Sequence, residues 1–238
     1  MIRFFCDFDG TVCFDDVGAS FFKTFLKEKS NEITNALVAG EISLRDWLSR
    51  SVDALPLISK DEFLKFIDQF KVDADFIEFA EYTRNNGIDI IILSDGLDIY
   101  IYSILSNYNL EYLKVFANHV EFVPIDGRQK MIVQFPYADA ECKRCGNCKR
   151  NHLLTLSADE DIIVYVGDGY SDFCPAEYAD YIFAKRDLLK YCQKKNITYF
   201  EFQTFKDVRK KMVELLSKKR IKQRQQAIVA RKDVFMQG

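Results

Sequence analysis

No apolar run in this 238-residue chain is long enough to cross a bilayer. The longest, such as Ile90 to Leu93 and Ile162 to Val166, fall far short of the ~20 residues a spanning helix needs. The start, Met-Ile-Arg-Phe-Phe-Cys-Asp, puts a charge inside its apolar stretch and offers no small-residue cleavage site, so no signal peptide is expected. The odd count of seven cysteines argues against a complete disulfide framework. A dominant charge is missing too: the net value of −3 predicts no general attraction to nucleic acid or anionic membranes. Internal repeats are absent. These absences point to a cytoplasmic protein with no membrane contact.

What is present belongs to a packed globular chain, 48% hydrophobic and 14% aromatic. Its length suits one full α/β domain and a smaller accessory one. The charge is unevenly spread. From Lys206 onward eleven basic residues face three acidic ones, which leaves the preceding part at −11. The basic residues crowd into Lys218-Lys219-Arg220-Ile221-Lys222-Gln223-Arg224, so residues 217–238 read as a basic C-terminal tail, by default a solvated or frayed terminal helix.

Ile2 to Cys6 is an apolar run that ends on Asp7-Phe8-Asp9-Gly10-Thr11, a buried strand meeting a loop. From Asp15 to about Asn86 the period turns helical. Phe21, Phe22, Phe25 and Leu26 space one stripe; Phe63, Phe66, Ile67 and Phe70 space another, opened by the capping box Ser59-Lys60-Asp61-Glu62. Ile88 to Leu93 is again a strand, ending at Ser94-Asp95-Gly96. Val115 to Val123 and Lys130 to Phe135 predict a hairpin about Asp126-Gly127. Ile162 to Val166 is a third buried strand, ending at Gly167-Asp168-Gly169, and Tyr181 to Ala184 a fourth. Strands alternating with helices predict an α/β fold with a mostly parallel, doubly wound sheet. Residues 1–14 and 87–216 would form the core, and residues 15–86 an inserted all-helical cap.

Ligands of such sheets sit beyond the carboxyl ends of the strands, where Asp7, Asp9, Ser94 and Asp168 all fall. Asp7 and Asp9, two apart, point the same way, and two carboxylates there need a proton or cation between them. Asp168 and Asp172 add negative charge at the same edge. An all-oxygen pocket of this kind suits one Mg²⁺, held by the Asp7 and Asp168 carboxylates and the Asp9 main-chain carbonyl, with Asp172 nearby. Phosphoryl transfer needs an in-line nucleophile and electrostatic support for the equatorial oxygens. Asp7 supplies the nucleophile and Asp9 the acid and base. Thr11, Ser94, Gly96 and Lys149 are the candidate phosphate ligands. Four fixed residues in D-x-D-G-T match by chance about 10⁻³ times in a chain of this size.

These residues, taken in order with Gly167-Asp168-Gly169-Tyr170-Ser171-Asp172, resemble the four motifs of the haloacid dehalogenase superfamily of phosphatases. The resemblance spans residues 7 to 172. It implies a Rossmann-like core, an aspartyl-phosphate intermediate, Mg²⁺ and a small phosphorylated metabolite as substrate. A helical cap between the first two motifs is similar to that of the phosphoserine phosphatase branch, although those enzymes usually carry Ser where this chain has Gly10. Cysteines just upstream of Lys149, with Cys6-Asp7-Phe8-Asp9-Gly10-Thr11 and Phe183-Ala184-Lys185-Arg186-Asp187, resemble the methionine-salvage phosphatases of 2-hydroxy-3-keto-5-methylthiopentenyl-1-phosphate. The phosphoethanolamine/phosphocholine phosphatases are similar at the cysteines.

Cys142, Cys145, Cys148 and His152 give C-x₂-C-x₂-C-x₃-H, four soft ligands for a structural Zn²⁺ that would pin the loop carrying Lys149. Their short spacers would make a cramped site, and reduced thiols packing a loop explain the pattern equally well. A second class of function, a zinc-knuckle nucleic-acid-binding protein, would combine this cluster with the basic tail; the net charge and the lack of an aromatic-basic pattern oppose it. Phe14, Phe21, Phe22 and Trp47 of the cap are candidates for a pocket wall or for plain core.

Overall fold

The computed structural model describes residues 1–237. One sheet runs through them in the order β4-β3-β2-β1-β5-β6-β7, built from β1 (Ile2–Cys6), β2 (Ile90–Leu97), β3 (Lys114–Ile125), β4 (Arg128–Gln134), β5 (Ile162–Gly167), β6 (Tyr181–Ala184) and β7 (Phe200–Glu201). All pairings are parallel except β3 with β4. β1 sits between β2 and β5, so the chain leaves the central strand to both sides, and a crevice opens at the carboxyl end of β1.

The central strands are apolar on both faces because helices cover both. Phe4, Cys6, Ile92, Val164 and Val166 belong to one buried cluster; the intervening Phe5, Ile91, Leu93, Ile163 and Tyr165 belong to the other. That alternation is the two-residue period of a strand.

The segment after β1 holds α1 (Val17–Leu26), α2 (Glu28–Val38), α3 (Leu44–Asp53), α4 (Lys60–Ile67) and α5 (Ala74–Asn85) with no strand between them. Reciprocal capping boxes start α3 and α4: Ser43 with Asp46, and Ser59 with Glu62. Phe21 meets Phe63 at 4.7 Å and Phe66 at 5.6 Å between centroids, which joins α1 to α4. α5 behaves differently from its neighbours in that segment. It lays Phe79 against Phe4 of β1 (5.0 Å) and Phe76 against Phe205 (4.7 Å), so it covers the sheet.

The hairpin turns on Asp126 and Gly127, both at positive φ (46° and 77°), as a tight two-residue turn requires. It is the edge of the main sheet prolonged. β3 pairs first with β2 and then, further on, with β4. Its tip reaches the helical segment, where Gln129 accepts from the amides of Ile58 (3.0 Å, through its carbonyl) and Lys60 (2.8 Å, through Oε1).

After β2 come α6 (Asp98–Ser106) and, beyond the hairpin, α7 (Lys149–Thr155). α8 (Phe173–Tyr178), α9 (Arg186–Lys194) and α10 (Phe205–Leu216) follow, and α11 (Gln225–Gln237) closes the described chain. The basic tail is anchored. Arg224 donates to the carbonyls of Ala176 (2.8 Å) and Glu177 (2.7 Å), and Arg231 pairs with the buried Asp180 at 3.2 Å. These two cations are spent on the fold. Among the described residues no helix is long and apolar enough to cross a membrane.

Candidate active site

Each strand of the centre delivers one polar loop to the crevice. Asp7 follows the last residue of β1, and its amide still bonds to the Val166 carbonyl at 2.9 Å. The chain then turns on Gly10, at φ 70°. A Cβ on Gly10 would lie 2.4 Å from Asp168 Oδ2, so only glycine lets the two loops approach this closely. Ser94 and Gly96 lie near the end of β2. Lys149 is the first residue of α7, and Asp168 follows β5.

Lys149 Nζ sits 2.7 Å from Asp7 Oδ1, 2.7 Å from Asp172 Oδ1 and 2.9 Å from Ser171 Oγ, fully buried. Burial works against its charge, but Asp172, Asp7 and Asp95 outweigh that and raise its pKa. Asp172 has both oxygens engaged. Oδ1 takes Lys149 and the Tyr165 hydroxyl (2.6 Å), and Oδ2 takes the amides of Asp168 (2.9 Å) and Gly169 (3.0 Å). It fixes the lysine and the Asp168 loop together.

Asp9 accepts from the Val17 amide (2.9 Å), Ser94 Oγ (3.2 Å) and the Tyr100 hydroxyl (2.6 Å). Burial, with Asp16 adding to it, pushes its pKa up to about 7. Burial likewise raises Asp7, helped by Asp172, and Asp168, helped by Asp172 and opposed by Arg186. Ser94 Oγ also accepts from the Gly96 amide at 2.9 Å, and Thr11, fully buried, donates to Asp168 Oδ1 at 3.2 Å.

Oxygens of Asp7, Asp168 and Asp172 lie within 4.8 Å of one another, the one such His/Cys/Asp/Glu group among the described residues. An all-oxygen, carboxylate-rich set fits Mg²⁺. Asp172 takes at least two donors on each oxygen, whereas Asp168 takes one on each, from Thr11 and Arg186, and Asp7 takes Lys149 on Oδ1, so Asp7 and Asp168 are the carboxylates with room for the ion. The four expected zinc ligands are not gathered in this way. His152 turns Nε2 to Asn147 Oδ1 (2.7 Å), and its ring packs on Phe116 (4.3 Å) and Tyr137 (5.1 Å). Local spacing brought these residues near each other in sequence, but the aromatic pocket and Asn147 take the histidine.

A chamber of about 240 Å³ opens from Asp7, Asp9 and Asp168 toward the cap. Its far wall is Phe22, Leu44, Trp47 and Leu48, so Phe22 and Trp47 reach the pocket while Phe21 stays in the core. The Trp47 indole N–H points away, to Thr34 Oγ1 at 3.2 Å, and leaves the wall apolar.

Several residues of the site carry no motif. Tyr100 and Tyr165 brace Asp9 and Asp172 from other elements. Arg186, at φ 49°, reaches Asp168 Oδ2 at 2.9 Å. Only the Phe-Ala-Lys-Arg-Asp stretch hinted at Arg186; the tyrosines are two of twelve, with nothing local to single them out.

A parallel sheet that brings a D-x-D loop, a serine turn, a buried lysine and an acidic loop to one edge, beneath a helical cap, defines a phosphatase of the haloacid dehalogenase type. The chain belongs to the family described as Putative Phosphatase, whose model matches residues 3–223. It is 28% identical to the 2-hydroxy-3-keto-5-methylthiopentenyl-1-phosphate phosphatase of Bacillus cereus (strain B4264) over 92% of this chain and 99% of that one. The same phosphatase of Bacillus thuringiensis (strain Al Hakam) is 29% identical over the same shares. In fold it resembles a phospho-aspartyl intermediate analogue of phosphoserine phosphatase, with a TM-score of 0.66 at 19% identity, over 89% of this chain and 99% of that one. A cytosolic 5'-nucleotidase IIIB bound to cytidine is more distant, at 0.56 and 14% identity over 99% and 87%. The protein is a phosphoric monoester hydrolase.

Proposed function

We propose that the protein hydrolyses a small phosphorylated metabolite in the cytoplasm through an aspartyl-phosphate on Asp7, and that the metabolite is 2-hydroxy-3-keto-5-methylthiopentenyl-1-phosphate. The observation that carries the chemistry is Asp7 itself, buried at the end of β1, 2.7 Å from Lys149 and grouped with Asp168. Mg²⁺ bound between Asp7 and Asp168 would offset the charge of carboxylates and ester oxygens.

The residues divide the work by position. One Asp7 Oδ attacks phosphorus while Lys149 holds the other oxygen in place. Asp9, two residues on and on the same side, gives a proton to the departing alkoxide. It then takes one from the water that cleaves the acyl phosphate. Tyr100 and Ser94 hold the Asp9 carboxyl in place for both transfers. The Ser94–Gly96 turn, which lines the chamber, would meet the phosphate oxygens.

The choice of metabolite rests on the relatives' activity and on the cap wall. Phe22, Leu44, Trp47 and Leu48 suit a methylthio chain. Phosphoserine needs a cation for its carboxylate, whereas the cation lining this chamber, Arg186, is paired with Asp168. Phosphocholine or phosphoethanolamine is the second reading, because Asp16 lines the chamber with Trp47, and a carboxylate beside an aromatic face suits an ammonium group.

A panel of phosphorylated metabolites, assayed for phosphate release with Mg²⁺, tests both levels. The methylthio enol phosphate should give the highest kcat/KM. Asp7→Asn should lose at least about 10³-fold in kcat, as loss of a covalent nucleophile does. Wild-type turnover in Asp7→Asn would remove the nucleophile from its role.

A further inference from the structure

Asp95 stands between the serine and glycine of the β2 turn, yet its carboxylate is bound to another loop. Oδ1 accepts from the amides of Gly146 (3.0 Å) and Asn147 (2.9 Å), the third and second residues upstream of Lys149. Asn147, itself fully buried, closes the clamp from the other side. Its Nδ2 donates to the carbonyls of Ser94 (2.9 Å) and Phe116 (2.8 Å), and its Oδ1 meets His152 Nε2 at 2.7 Å. Asn118 adds a bond from its side chain to the Asp95 carbonyl at 2.6 Å. The loop before Lys149 is otherwise irregular from residue 135 to 148, so these contacts fix where α7 begins.

Resting on the phosphatase reading, we infer that Asp95 and Asn147 form a clamp that positions Lys149 against Asp7, with Asp95 acting through the lysine and not on the substrate. A buried side chain in an irregular loop needs its backbone held if Nζ is to sit 2.7 Å from two carboxylates at once. The clamp also ties the Ser94 turn to the lysine loop, so the phosphate-facing turn and the cation move as one piece. The work falls to a single oxygen. Oδ2 of Asp95 is buried with no hydrogen-bond partner among the described residues, so the amide oxygen of an asparagine can replace the carboxylate in the clamp.

The test compares Asp95→Ala, Asp95→Asn and Asn147→Ala, each alone and with Lys149→Ala, by steady-state kinetics on an aryl phosphate. Asp95→Ala should lose about 10²-fold in kcat, with KM moved less than threefold. Asp95→Asn should stay within about fivefold of wild type. In the Lys149→Ala background, Asp95→Ala should cost less than twofold more, because its effect already passes through the missing lysine. Equal losses in Asp95→Asn and Asp95→Ala, or a full further loss on top of Lys149→Ala, would overturn the clamp and assign Asp95 to the substrate. Should Asp95→Ala not fold, Asn147→Ala carries the test in the two backgrounds: a loss absorbed by Lys149→Ala supports the clamp, and a full further loss overturns it. Absence of turnover in the wild-type protein on every phosphate ester would instead refute the phosphatase reading.

Discussion

Among single residues, His152 shows how burial converts a candidate ligand into a structural group. Its pKa is pushed down to about 4, by burial first and by Lys114 second. Asn147 Oδ1 is an acceptor, so Nε2 carries the hydrogen and the ring is neutral when folded. The unfolded chain, at about 6.5, then binds the proton more readily than the folded one. Stability is accordingly complete above pH 6.5 and falls as pH drops toward 4, by about 3 kcal/mol at the end of that window. His152→Gln should remove this slope. Urea midpoints at pH 7.5, 5.5 and 4.5 would show the variant catching up with wild type as pH falls; parallel curves would show that the histidine titrates freely. The same residue marks what sequence can carry. That Asp7, Asp9, Ser94 and Asp168 would meet was legible because each lies at or just past the carboxyl end of a strand; Lys149, at the start of α7, was legible only through its order among them. The role of His152 stayed open in the sequence because spacing of three or four residues says nothing of where a ring points. Asp95 and Asn147 act through bonds across about fifty residues of sequence, which no local pattern reports.

For whole elements, hydrophobic period located the strands and helices well but not their company. The stripe of α5 is the same kind of signal as that of α1 or α4. Which surface it covers is decided by Phe4 and Phe205, far away in the sequence. Phe79→Ala tests that assignment. Both Phe79 and Phe4 are fully buried, so the truncation should cost about 3–5 kcal/mol in chemical denaturation. The kcat of the folded protein should change less than twofold, since α5 lines no part of the chamber. A loss below 1 kcal/mol would mean that α5 is not part of the sheet's cover. The hairpin was likewise legible as a turn pair, while its reach to Ile58 and Lys60 was not. A charge run, finally, describes composition alone: the tail that read as frayed spends Arg224 and Arg231 on Asp180 and the α8 carbonyls.

Over the whole molecule, folding concentrates Asp7, Asp9, Asp95, Asp168 and Asp172 at one sheet edge, against the cations Lys149, Lys185 and Arg186. Burial raises Asp7 and Asp168, so ionising either of them in the folded state carries a cost. A divalent cation that binds only the folded state relieves that cost. At a hundredfold excess over its Kd it stabilises by about 2.7 kcal/mol. For a chain of this length that corresponds to a rise in Tm of roughly 5–10 °C. Titrating the metal-free protein with Mg²⁺ should produce this shift, and a chelator should reverse it. In Asp168→Asn, which keeps an oxygen for Arg186 but loses the charge, the increment should fall below a third of the wild-type value. A shift of equal size in both proteins would place the ion elsewhere and leave the acidic edge without its counter-charge. The readout is thermal, so it holds whichever phosphate ester the cap selects.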